Sequence, residues 1–75
     1  MTTDAEILEA LRALAETRAP KTFCPSEVAR RLADDWRPLM PRVRRIAKAQ
    51  GLKATQKGRQ VDPLTAFGPI RLSKA

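Results

Sequence analysis

Gly51 separates two kinds of hydrophobic pattern, and this divide narrows most what the chain can fold into. Before it, Leu39, Val43, Ile46, Ala47 and Gln50 recur at helical spacing and share one face, with Met40 at its edge. At roughly 100° per residue, Arg44, Arg45 and Lys48 point the other way. Pro38 or Pro41 can occupy a first turn, where a missing N–H is not missed, and Gly51 suits a left-handed cap. The pattern predicts a helix over 38–50 with one apolar and one cationic stripe. After Gly51 the period shortens to two. Residues 52–57 read as a half-exposed strand and 69–73 as its partner, with Ile70 and Leu72 facing inward. Lys57-Gly58-Arg59 reads as the turn that follows the first strand. A two-stranded hairpin does not stand alone in water, so it must pack on helices.

The N-terminal half supplies those helices. Thr3-Asp4-Ala5-Glu6 has the form of a capping box, and Ile7, Leu8, Leu11, Leu14 and Ala15 then fall on one face of a helix over 4–17. Pro20 ends it, because the residue before a proline is pushed out of the α region. Lys21-Thr22-Phe23 is a short extended piece whose phenylalanine plugs the core. Pro25 suits the first position of a second helix, over 25–33, with Cys24 as its N-cap and Glu27 at the positive end of its dipole. Val28, Ala29 and Leu32 form its inner face. Asp34 and Asp35 are expected to cap or turn, and Trp36 to anchor the junction with the third helix. Between the strands, Val61, Leu64 or Phe67 is expected to fold back as a lid on the hairpin.

The expected fold is therefore mainly α with a small β-hairpin: a three-helix bundle plus a two-stranded wing, in the order of a winged helix-turn-helix. One domain accounts for residues 1–75. Such a small core leaves little room for a deep enclosed pocket. The chain has no histidine, no metal-ligand cluster, no phosphate-binding glycine loop and no nucleophile–base pair. No catalytic residue, metal or cofactor is expected, and the chain does not read as an enzyme. Its one cysteine permits no internal disulfide and points to a reducing, cytoplasmic setting, with Cys24 read as a buried small hydrophobe. The N-terminus lacks the pattern of a signal peptide, no apolar run is long enough to span a bilayer, and no membrane partner is expected.

Charge points to a partner. The formal net charge is +7, and residues 42–75 hold nine of the fifteen basic side chains against one carboxylate. A polyanion fits that half. In a winged helix the second helix of the helix-turn-helix enters the major groove. Double-stranded DNA is the first expectation, with Arg44, Arg45 and Lys48 leading and Arg42, Lys53, Lys57 and Arg59 on the flanks. The alternative is an acidic protein partner on the same face. A single module has a small footprint on DNA, and no dimerisation helix is visible.

Specific motifs add to this reading. CPSEVAR at 24–30, LM at 39–40 with VR at 43–44, TQKG at 55–58, VDP at 61–63 and GPIRL at 68–72 resemble a family of small bacterial domains of unknown function. The resemblance covers about residues 5–73. It implies a winged-helix-like fold and no activity, ligand or partner.

Overall fold

The computed structural model describes residues 2–74. Helix α1 spans Asp4–Arg18, and its start is fixed by the capping box. The Glu6 N–H donates to Thr3 Oγ1 at 3.2 Å, and the Thr3 N–H donates to Glu6 Oε1 at 3.0 Å. Two otherwise unpaired groups are thereby satisfied reciprocally. Helix α2 spans Pro25–Leu32, with its proline in the first turn and Cys24 in extended conformation at the N-cap. A 3-10 turn at Arg37–Leu39 then leads into α3, Met40–Ala49. The expected helix over 38–50 is thus split. Pro38 lies in the 3-10 turn and Pro41 in the first turn of α3. Asp34 and Asp35 serve as a bend between α2 and the 3-10 turn rather than as caps, because Trp36 and Leu39 hold the capping positions with no side-chain bond.

Gly51 ends α3 at φ +71°. Its N–H donates to the Lys48 carbonyl at 3.0 Å, and the Leu52 N–H donates to the Ala47 carbonyl at 3.1 Å. This pair of bonds is the Schellman arrangement, which needs a left-handed residue at that place. The chain is thereby redirected into the sheet.

The sheet has three strands in the order β2-β1-β3: β1 Lys53–Gln56, β2 Arg59–Gln60 and β3 Arg71–Ser73. Strand β1 pairs antiparallel with both neighbours, Ala54 opposite Leu72 on one side and Gln56 opposite Arg59 on the other. The expected two-stranded wing therefore gains a third, very short strand. Residues 61–70 carry the chain from one edge of β1 to the other. Lys57 at φ +52° and Gly58 at φ +80° connect β1 to β2. Positive φ at both central residues of a two-residue loop marks a type I′ turn, whose twist matches that of the strands. Phe23 forms an isolated bridge with Leu72, tying the segment before α2 to the sheet.

One core lies where α1, α2, α3 and the sheet meet. Ile7, Leu11 and Leu14 of α1, Val28 and Ala29 of α2, Val43 and Ala47 of α3, and Phe23, Ala54, Ile70 and Leu72 are all buried in it. Ile46 and Leu52 pack at its edge. Gln50, assigned to the apolar stripe by its spacing, is exposed and accepts a hydrogen bond from Arg12 at 3.2 Å. The architecture is mainly helical with a small C-terminal sheet, a winged-helix-like arrangement.

Candidate nucleic-acid interface

Helix α3 carries Arg42, Arg44, Arg45 and Lys48 on its non-core side, each drawn to a partner far away in sequence. Arg42 Nε donates to Asp4 Oδ1 at 3.0 Å, while its Nη2 reaches the same oxygen at 2.7 Å and the Thr2 carbonyl at 3.1 Å. Arg45 Nη2 meets the other oxygen of Asp4 at 3.3 Å. One carboxylate at the start of α1 therefore serves two guanidiniums. The Arg42 hydrogen bond holds the Asp4 carboxyl below its ordinary value, and the charge of Arg45 acts in the same direction.

Arg44 differs from its neighbours. Its Nη1 donates to the Ala66 carbonyl at 2.8 Å and its Nη2 to the Gly68 carbonyl at 2.7 Å, with Pro63 at the margin, 3.5 Å away. It is a staple that holds the 61–70 segment against α3. The expectation that it leads a contact with DNA meets a side chain already committed to backbone carbonyls. Lys48 Nζ donates to Asp62 Oδ2 at 2.7 Å. This bond, helped by the Leu64 N–H donated to Asp62 Oδ1, lowers the Asp62 carboxyl from its ordinary value.

The wing is the opposite case. Lys53, Lys57 and Arg59 are exposed and make no side-chain hydrogen bond or ion pair among the described residues. Lys57 and Arg59 flank Gly58 at the tip of the hairpin. On α3, Arg45 and Lys48 stay open to solvent, their side chains 58% and 49% exposed, whereas Arg42 is 37% exposed. Exposed ion pairs of this kind contribute little to stability.

Three features lay outside the sequence reading. Arg30 and Arg37 place their guanidiniums over the Trp36 ring, 4.6 and 4.9 Å from its centroid. Trp36 packs on the core as expected, and its ring also gathers two cations. Aromatic–arginine proximity in the sequence at 36–37 was the available signal; Arg30 reaches the ring only through the fold. The second feature is the pair of carboxylates, Asp4 and Asp62, that brackets the outer face of α3. The third is Phe67. It was expected among the lid residues, yet it is 93% exposed, and Leu64 is 49% exposed. Only Val61 of those three packs on the core.

Cys24 is partly exposed rather than buried, and Arg71 Nη1 donates to its sulfur at 2.9 Å. Arg71 also binds the Thr22 hydroxyl and carbonyl, at 3.0 and 3.2 Å, beside the Phe23–Leu72 bridge. Among the described residues no cluster of three His, Cys, Asp or Glu side chains could hold a metal ion. No helix of the described residues is long and apolar enough to cross a membrane.

No curated protein matches the chain. A family described as a protein of unknown function (DUF3253) matches residues 4–75, and the chain belongs to that family.

Proposed function

We propose that the domain binds nucleic acid, double-stranded DNA first, and that the wing tip rather than the middle of α3 makes the leading contacts. It acts as a cytoplasmic binding module, not as an enzyme. Lys53, Lys57 and Arg59 of the wing are the primary phosphate ligands. Arg45 and Lys48 join by exchanging Asp4 and Asp62 for phosphates. Arg44 serves by holding the wing loop on α3, and Arg42 by holding α3 to the start of α1. The motifs resembling small bacterial winged-helix-like domains are, in this reading, those of the family to which the chain belongs.

The observation that carries the reading is Lys57. It occupies a left-handed position, φ +52°, in a type I′ turn, where asparagine or glycine is favoured. Lysine there is a local compromise that supplies a free cation at the tip. Such departures from local preference gather at functional sites.

A second reading places a protein with an acidic patch on the same cations; Asp4 and Asp62 give the α3 face a mixed charge pattern, which suits a protein surface better than a uniform polyanion. A titration of duplex DNA of random sequence at several salt concentrations separates the two. Three to five phosphate contacts give a log–log salt slope of about −3 to −5 and a dissociation constant of ~10⁻⁴ to 10⁻⁶ M at physiological salt. Absence of duplex binding at low salt, where counterion release is strongest, would sink the nucleic-acid reading and leave the acidic protein in its place.

A further inference from the structure

We propose that two copies of this domain associate as a symmetric dimer in which Phe67 of each copy seats in the Met40–Pro41–Arg44–Leu64 groove of the other. The inference is independent of the nucleic-acid reading.

It begins with how Phe67 is held. The ring is 93% exposed, in a chain whose other phenylalanine is fully buried. Its backbone is not free. Arg44 grips the carbonyls on either side of it, at Ala66 and Gly68, and the Gln56 side-chain amide donates to the carbonyls of Phe67 and, at 3.2 Å, Pro69. These bonds fix the backbone from which the ring projects. The aromatic is therefore presented outward on a fixed stem. An anchor ordered before binding loses little conformational freedom when it docks.

Beside that stem lies a groove of about 360 Å³ lined by Met40, Pro41, Arg44 and Leu64. Each wall suits an aromatic ring. The Met40 thioether offers a sulfur contact, the Arg44 guanidinium a cation–π contact, and Pro41 and Leu64 apolar surface. The lining thus specifies the class of occupant. The chain carries that occupant next to the groove, because Arg44 both lines the groove and holds the Phe67 stem. A two-fold axis needs a knob and a hole on the same copy, since each copy then gives and receives the same contact.

The contact is small, so the dimer is weak, and each copy carries +7. Added salt screens that repulsion and strengthens association, whereas it weakens any complex with nucleic acid. The two behaviours have opposite sign.

The test is sedimentation equilibrium of the full chain without nucleic acid, from about 10 μM to 1 mM at low and moderate salt, alongside a dilution series followed at the Met40 and Leu64 methyl resonances. The expected result is a monomer–dimer equilibrium that tightens with salt. Ring-current shifts at both methyl positions should grow with concentration. Phe67→Ala, at an exposed position, should weaken self-association about 30-fold or more, as a truncated hot spot does, and remove the shifts. Leu64→Lys, which fills the groove but keeps the ring, should do the same. A wild-type chain that stays monomeric at 1 mM would overturn the proposal. So would a Phe67→Ala variant that self-associates as the wild type does.

Discussion

Helix α3 carries four of the candidate cations and the wing three, Lys53, Lys57 and Arg59, and the two regions use them differently. On α3 every candidate is bound: Arg42 and Arg45 to Asp4, Lys48 to Asp62, and Arg44 to the carbonyls of the wing loop. At the wing, Lys57 and Arg59 protrude from a tight turn and meet no carboxylate among the described residues. The difference teaches that formal charge and available charge are separate quantities. A cation that holds the fold together must first be released before it can meet a ligand. One on a hairpin tip needs no release, and its loss leaves the core untouched.

The largest expected effect sharpens that contrast within α3 itself. Arg44→Ala removes two short charge-assisted hydrogen bonds to partly or fully exposed carbonyls and frees the 61–70 segment. A loss of ~1–3 kcal/mol is expected, which for a domain this small lowers Tm by roughly 4–8 °C per kcal/mol. Its neighbour Arg45, replaced by alanine, should shift stability by no more than about 0.5 kcal/mol. Thermal melts followed by circular dichroism make the comparison. Equal melting temperatures for the two variants would remove the staple from the account.

Next in size is the effect of unmasking. Asp4→Asn releases both Arg42 and Arg45 from their shared carboxylate. Duplex affinity should rise several-fold at low salt, measured by fluorescence anisotropy, with the helix content of the protein unchanged. An affinity that stays flat or falls means that α3 does not approach the duplex.

How far the sequence anticipates the molecule depends on the range of the interaction. The start of α1 was legible because a capping box lies within four residues, and the end of α3 because Gly51 closes a local motif. Inner faces followed from periodicity, down to Val43 and Ala47. The roles of adjacent Arg44 and Arg45 were not legible. They point about 100° apart, and what each meets lies some twenty to forty positions away, at Gly68 and Asp4. Periodicity says which way a side chain leaves its helix and nothing about what waits there. Strand β2 was missed because Arg59 and Gln60 are both polar and exposed, so no alternation marks them. Which of Val61, Leu64 and Phe67 folds back was not legible, because no periodicity runs through the 61–70 segment; Val61 packs on the core and Phe67 stays exposed.

The two smaller effects probe the bonded carboxylates and the wing turn. For the carboxylates, pH is the probe, and Glu6, lowered by its capping-box bonds with Thr3, moves with them. Asp4 and Asp62 titrate below their ordinary value of 3.8 because Arg42 and Lys48 bond them. A group whose pKa is depressed by folding contributes stability that is complete above its unfolded value and lost as pH falls through its folded one. Stability should therefore hold level from pH 5 to 7, with no histidine in the chain to disturb it, and decline below about pH 4. A transition near pH 6 in denaturant melts would contradict this. For the wing, Lys57→Asn should relieve the left-handed lysine and raise stability by about 0.5 kcal/mol, while the loss of one phosphate contact flattens the salt slope of duplex binding by about 0.9. A loss of stability would mean that the turn is not of the type I′ form.

The account's central claim, that the free cations of the wing lead and the tethered cations of α3 follow, is tested most directly by one set of salt titrations on random duplex DNA. Wild type is compared with Lys57→Ala/Arg59→Ala and with Arg45→Ala/Lys48→Ala, all three shown by circular dichroism to be equally folded. Each lost phosphate contact flattens the log–log slope by about 0.9. The wing pair should flatten it by nearly two units and weaken every sequence alike. The helix pair should flatten it by about one unit or less, because Asp4 and Asp62 compete for those cations. A helix pair that costs as much slope as the wing pair, or more, would contradict the account.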